Sequence, residues 1–474
     1  ATFKLIKILA DISMLSRREF LNFSAATIAL TSLPNQIQSN QLIRNYKLTA
    51  EITPHTFDKK GVLDSLWLYN KQTPGPVIEA KENDIIRVEF VNNLDEASTI
   101  HWHGIKNINN MDGVPYLTQD PVQPGGTYIY EFPVNNAGTF WYHAHFETWK
   151  QISKGLYGPL IVKNHLDKQF DNDIIILADD WRLNKNYQLD KKSLGSLHDW
   201  SHAGRIGNWL TINGKKFPEY SVNKNGFAKL RFINASNARI LSFGSSLNGM
   251  KIISIDGMSV EPFIQDKFNL GPGQRVDLFI KTDDMSTIDF FEVIGKKPLR
   301  AFRLNVNQSP NKNILKKDIN LESFKKIPPY KNPKILKIHM QGGAMGNLSK
   351  AYFEGVEKNF RSLAMEDKKF WAFNKEVGKY EHSLANVKKG EIIILDVWND
   401  SRWPHSMHLH GNHFYVESKE FSDDDKLILR DTYLMQPGEK SKFIYIADNP
   451  GKWLFHCHML EHAASGMIGY IEVV

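Results

Sequence analysis

The chain has 474 residues, 42% of them hydrophobic and 23% charged, with a formal net charge of +7. That is too long for one ordinary core, at roughly 100–200 residues per domain, and the composition is that of a soluble globular protein. Lys and Arg are scattered without a dense basic stripe, so no nucleic-acid partner is expected, and the single cysteine, Cys457, excludes an intrachain disulfide.

In chain order, the first feature is Ser16-Arg17-Arg18-Glu19-Phe20-Leu21, which resembles a twin-arginine export motif. A weakly apolar stretch, Phe23–Leu33, follows, broken by Ser24, Thr27, Thr31 and Ser32. It is too short to span a membrane, which takes about 20 apolar residues. Residues 1–44 are therefore read as a signal segment and leader, with Met14 a candidate start. No A-x-A cleavage site is visible, so an uncut anchor is the alternative. The twin-arginine machinery carries folded proteins, and a periplasmic or otherwise exported location is expected.

Beyond about residue 45, short alternating apolar runs are separated by Gly, Pro, Asn and Asp. This is an all-β pattern. Leu348–Phe370 is the exception and is read as a helix with loops. One alternating strand recurs three times, at Ile85–Asn93, Ala228–Ser236 and Glu391–Asp400. Each is followed by a Pro-Gly turn, at Pro124-Gly125, Pro272-Gly273 and Pro437-Gly438, and then by another strand such as Tyr128–Phe132 or Lys442–Ile446. Such a repeat predicts related units. We expect three Greek-key β-sandwich domains, over 45–166, 172–310 and 330–474, each of a usual domain size. The Lys-, Asn- and Pro-rich segment Asn307–Asn332 is the linker candidate.

Ten of the 17 histidines fall in four short clusters. They are His101-Trp102-His103; His143-Ala144-His145; His405 with His408 and His410; and His456-Cys457-His458 with His462. The first two lie in domain 1 and the last two in domain 3. On a strand, residues i and i+2 share a face, so each His-x-His aims two imidazoles one way. Imidazole suits copper, iron, zinc and nickel, and eight imidazoles exceed what one ion takes, so a multinuclear site is implied. Cys457 lies between two of these histidines, and its sulfur faces the opposite way. There it can join His405, His462 and Met467, and two His, one Cys and a weak axial Met describe a blue-copper electron-transfer site.

These clusters resemble the copper-binding signatures of multicopper oxidases: laccases, metal-ion oxidases and their relatives. The resemblance extends to Thr73-Pro74-Gly75-Pro76, Asp112-Gly113-Val114-Pro115, Ile212-Asn213-Gly214, Gly271-Pro272-Gly273-Gln274-Arg275 and Arg430-Asp431-Thr432. It implies three cupredoxin-like domains and four coppers. Carried over residue by residue, His405, Cys457, His462 and axial Met467 match the type 1 site. His101 and His408 match the type 2 ligands, and His103, His143, His145, His410, His456 and His458 the type 3 pair. Asp112 matches a proton-relay acid. A second acid is usual just after the position of His462, but Ala463 stands there. Glu461 precedes His462 and, if the chain is extended, faces away.

The implied reaction couples one-electron oxidation of a small donor to four-electron reduction of O2 to water, by a chain expected to be monomeric. The candidate region over the type 1 site holds only Met340, Met345 and Met365, so a dedicated cuprous oxidase is disfavoured. Asp423-Asp424-Asp425 offers oxygens to Fe(II) or Mn(II), or is simply a solvated turn. Phenols and similar donors are the favoured class, with Fe(II) or Cu(I) the runner-up. A copper-binding scaffold without turnover would lack cluster ligands, and none is missing.

Overall fold

In a computed structural model, each recurring strand lies inside a sheet, between a parallel and an antiparallel neighbour. Ile85–Asn92 runs parallel to Ile43–His55 and antiparallel to Thr127–Pro133. Phe227–Asn234 does the same between Asn172–Trp181 and Arg275–Lys281. Ile392–Asn399 lies between Lys334–Gly342 and Lys440–Ile446. The structure describes residues 41–57, 61, 63–283, 285–294, 297–307, 319–321, 325–417 and 427–474. The twin-arginine motif, Met14, Phe23–Leu33 and Asp423-Asp424-Asp425 lie outside them. The first strand starts at Ile43, slightly earlier than the sequence pattern suggests.

The Pro-Gly turns close on these strands in one manner. The amide N–H groups of Gly125, Gly273 and Gly438 donate to the carbonyls of Asn92, Asn234 and Asn399, at 2.7, 2.9 and 2.9 Å. The three asparagines are fully buried, at 0% exposure, and each side chain is saturated. Asn92 donates to the carbonyls of Glu96 and Val122 and accepts from the Leu94 amide. Asn234 repeats this with Arg239, Leu270 and Ser236. Asn399 repeats it with Trp403, Gln436 and Ser401. A buried amide is tolerated when every group on it is paired, so the one residue type is demanded three times.

A second sheet faces each of these. In the first segment its strands are Ile78–Lys81, Tyr157–Lys163, Gly138–Ala144 and Ile100–His103. In the third they are Ser383–Val387, Ile468–Val473, Gly451–Cys457, His405–Leu409 and Thr432–Met435. Inward residues fill the gap: Trp102, Phe132 and Tyr142 in the first sandwich, Phe232, Phe290 and Phe302 in the second, Phe414, Phe443 and Phe455 in the third. Leu348–Phe370 holds the helix Phe360–Met365, preceded by a hairpin of Lys350–Phe353 and Val356–Asn359.

From Ile43 onward the chain forms one compact unit, and polar side chains join its segments. The Tyr157 hydroxyl donates to Asp179 Oδ2 at 2.6 Å. Burial, and then the neighbouring Asp180 carboxylate, push the Asp179 carboxyl up to about 8. An unfolded Asp titrates near 3.9. Between about pH 4 and 8 the folded chain therefore holds a proton that the unfolded chain has lost, and stability falls as pH rises. Asp179→Asn is expected to flatten that slope, which one proton sets at up to about 1.4 kcal/mol per pH unit. Urea midpoints at pH 5 and pH 8 check it: a variant as pH-sensitive as the parent contradicts it.

Candidate metal centre

The four histidine clusters sit on paired strands or just past their ends. In the first segment His101 lies opposite His143 on the antiparallel pair Ile100–His103 and Gly138–Ala144. In the third, His408 lies opposite His456, and Met407 opposite Cys457. The two halves then meet face to face. The rings of His103 and His408 stack at 3.8 Å, and those of His101 and His410 at 3.8 Å. Within each of the pairs His101/His103, His143/His145 and His456/His458 the ring centroids are 5.8 Å apart. The two rings of a pair do not always share a point: His143 and His145 enter different convergent sets, as do His456 and His458, while His101 and His103 share one.

The ring nitrogens converge in three buried sets: His101, His103 and His408; His103, His143 and His458; His145, His410 and His456. Main-chain oxygens fix the tautomers. Nδ1–H of His101 donates to the Asp112 carbonyl at 2.9 Å, and that of His408 to the Asp431 carbonyl at 2.9 Å. His143 and His456 donate to the carbonyls of Ala144 and Cys457. His410 donates to Asp112 Oδ2 at 2.8 Å. Each of these rings therefore presents a bare Nε2 inward. Those of His101, His143 and His408 have no partner, nor has either nitrogen of His145 or His458. Nε2 of His410 faces Nε2 of His456 at 3.0 Å, two lone pairs with no proton to share. Burial, the largest influence, lowers the His143, His145, His410 and His458 rings well below the ordinary range and His456 to about 3. Neutral, buried, unpartnered nitrogens aimed at common points fit metal cations.

Cys457 faces the other way. Its Sγ lies 3.4 Å from His405 Nδ1 and 3.7 Å from His462 Nδ1, and these nitrogens are 3.0 Å apart. Both are bare. His462 Nε2 donates to the His202 carbonyl at 2.7 Å, and His405 Nε2 to Ser401 Oγ at 2.8 Å. The Ser401 hydroxyl passes its proton to Asn399 Oδ1 at 2.8 Å, so the third copy of the recurring asparagine also holds a His405 rotamer. Burial raises the Cys457 thiol and lowers His462 to about 3. A cation that binds here displaces the thiol proton. Met467 is buried in the same core cluster, and its carbonyl accepts from the Cys457 amide at 3.1 Å.

Asp112 reaches two rings at once: Oδ2 on His410 Nδ1 and Oδ1 3.3 Å from His101 Nδ1. Gly113 allows it, because a Cβ on that residue, at φ +80°, would lie 1.8 Å from the Ile100 carbonyl. A cavity of about 410 Å³ opens onto His145 and His456, and Ala463 and Glu147 line it.

The second segment carries none of the four histidine clusters, yet it supports them. Arg275 pairs through both Nη atoms with Asp431, at 2.7 and 2.6 Å, with all groups buried. This bidentate pair holds Asp431 well below the usual carboxylate range, against the opposing effect of burial. Asp431 Oδ1 lies 3.3 Å from His103 Nε2. Thr432 Oγ1 gives its proton to Asp431 and sits 3.0 Å from the same His103 Nε2, so His103 alone among the oriented cluster rings turns Nδ1 inward. Arg275 and Asp431 were visible only as motif residues without a role, because their contact joins positions 156 apart. Glu461 corrects an expectation: the chain there is helical, Leu460–Ala464, and Glu461 is buried with Oε1 accepting from Asn237.

Three β-sandwich segments, a thiol-imidazole site and an eight-histidine cluster define a multinuclear copper protein of the oxidase class. The chain belongs to the multicopper oxidase family. Family models described as multicopper oxidase match residues 51–167, 172–309 and 355–474. The chain is 29% identical over 458 residues to a multicopper oxidase of Staphylococcus aureus, covering 92% of this chain and 90% of that one. It is 25% identical over 535 residues to Laccase-1 of Cryptococcus neoformans, covering 95% and 84%. The solved multicopper oxidase of Pseudomonas thermotolerans superposes with a TM-score of 0.77 at 26% identity, covering 92% of this chain and all of that one.

Proposed function

We propose that the protein is a laccase-like oxidase that takes single electrons from phenols or similar donors and uses four of them to reduce O2 to water. One observation carries this reading: Cys457 of the thiolate site is bonded directly to His456 and His458 of the cluster. We assign His405, Cys457, His462 and Met467 as the residues that would hold a type 1 copper, and His101 and His408 as those that would hold a type 2 copper. His103, His143, His145, His410, His456 and His458 are assigned to a type 3 pair. Copper supplies the one-electron redox chemistry. The chain supplies deprotonated ligands held by carbonyls, Asp112 for protons, and a buried interior that excludes side reactions.

The methionines support organic donors over Cu(I). Met340 is core-packed at 0% exposure, while Met345 and Met365 are solvent-exposed, so these three do not gather into a thioether cluster. We further propose export as a folded monomer through the twin-arginine pathway. Oxygen uptake by the copper-loaded chain with phenols, Fe(II) and Cu(I) in turn tests the donor class: the phenols are expected to give the highest kcat/KM, and a clear preference for either metal ion overturns the reading. Met467→Leu is expected to raise the type 1 potential, because weak axial ligands tune it, with the blue band retained. A redox titration that finds the potential unchanged makes Met467 a packing residue only.

A further inference from the structure

His405, Cys457, His462 and Met467 are all at 0% exposure, so a donor in solution cannot touch them. The outward edge of His462 ends in its Nε2–H bond to the His202 carbonyl. His202 follows the short helix Leu197–Ser201 of the second segment. We propose that an aromatic donor docks on the ring stack of His198 and His202 beside Trp403, and that its electron enters through the His202 main chain to His462. The proposal rests on the laccase-like reading and adds the place of docking.

The platform is flat and fixed. The His198 and His202 rings stack at 4.0 Å and 11°, with the Trp403 ring 5.4 Å from His202. His198 is exposed, and His202 and Trp403 are partly so. The His202 amide donates to the His198 carbonyl at 3.1 Å. Trp371 packs on His462 at 4.3 Å and donates through Nε1 to the Trp200 carbonyl at 2.7 Å. The Ala344 amide donates to the Ser201 carbonyl at 2.6 Å, and Trp403 Nε1 donates to the Ala344 carbonyl at 3.1 Å. The third segment thus pins the turn that presents the His202 carbonyl. A solvated helix face accounts for two histidines four residues apart, but not for their seat on the outward bond of His462.

The chemistry favours an aromatic ring over a metal ion. His202 Nδ1 already bonds the His198 carbonyl at 2.9 Å, so the pair leaves few nitrogens for a cation. The adjacent carboxylate, Asp199, is committed to Arg182 at 2.6 Å. Ring faces and edges instead offer stacking to a phenol. Each phenol gives up one electron and one proton and leaves as a phenoxyl radical. The electron crosses the His202–His462 hydrogen bond, and the proton passes to water at the open face. Four such donors supply the electrons that, with four protons, reduce one O2 to two waters.

The test uses copper-loaded enzyme and the variants His198→Ala and His202→Ala, which remove rings but keep the main-chain carbonyl. Para-nitrophenol, a poor electron donor, is the binding probe, followed by saturation-transfer NMR. Its Kd is expected to rise at least about tenfold. The ratio of kcat/KM for syringol to that for hexacyanoferrate(II) is expected to fall about as much, while His198→Phe, which keeps a flat ring, restores both. Syringol oxidation with Kd and ratio unchanged in both alanine variants sinks the docking site alone. A parent enzyme that oxidises hexacyanoferrate(II) but neither binds nor oxidises phenols sinks the laccase-like reading, and the docking site with it.

Discussion

Cys457→Ser is expected to abolish the intense blue absorption and turnover with every donor, and to remove one copper per chain. The absorption is thiolate-to-copper charge transfer, and a serine hydroxyl is neither a soft ligand nor ionised at working pH. The variant is expected to fold. The position is buried among bare imidazole nitrogens of His405 and His462, which can accept from a hydroxyl, so the penalty stays near the roughly 1–3 kcal/mol of an imperfectly satisfied polar group. The cluster histidines point to the opposite face and keep their hydrogen bonds to the carbonyls of Asp112, Ala144 and Asp431. Metal analysis with absorption and electron-paramagnetic-resonance spectra checks this. A variant that stays blue refutes the assignment of Cys457.

Asp112→Asn is expected to slow reoxidation of the reduced enzyme by roughly 100-fold or more, in the range of a lost general acid, while copper content and the blue band persist. The asparagine oxygen can still accept from His410 Nδ1, as Asp112 Oδ2 does at 2.8 Å, so the ring keeps its tautomer. What is lost is a carboxyl that can hand a proton toward the cluster. Ala463→Glu added to this variant is expected to recover part of the rate, because position 463 lines the cavity that reaches His145 and His456. Stopped-flow reoxidation by O2 across a pH series is the measurement. Reoxidation at the parent rate with all coppers present makes Asp112 an orienting residue for His410 and His101, and no more.

What the sequence determined by itself is local. The i, i+2 spacing of His101 and His103, or of His456 and His458, fixes a shared direction for each pair, because strand geometry has period two. The same period places Cys457 on the opposite face. The recurring strand and its Pro-Gly turn marked three related sandwiches, since one buried Asn must be saturated in the same way each time. Tertiary structure decided which rings meet. His103 and Thr432 are 329 positions apart, and Asp112 and His410 are 298 apart; no periodicity reaches that far. It also sent His143 and His145, and likewise His456 and His458, to different convergent sets, while His101 and His103 share one. The role of Arg275 and the His202 carbonyl on His462 were hidden for a further reason. A guanidinium clamped on a buried carboxylate, and a backbone oxygen that ends a ligand's outward bond, act through packing between segments, and a residue's type does not reveal what packs against it.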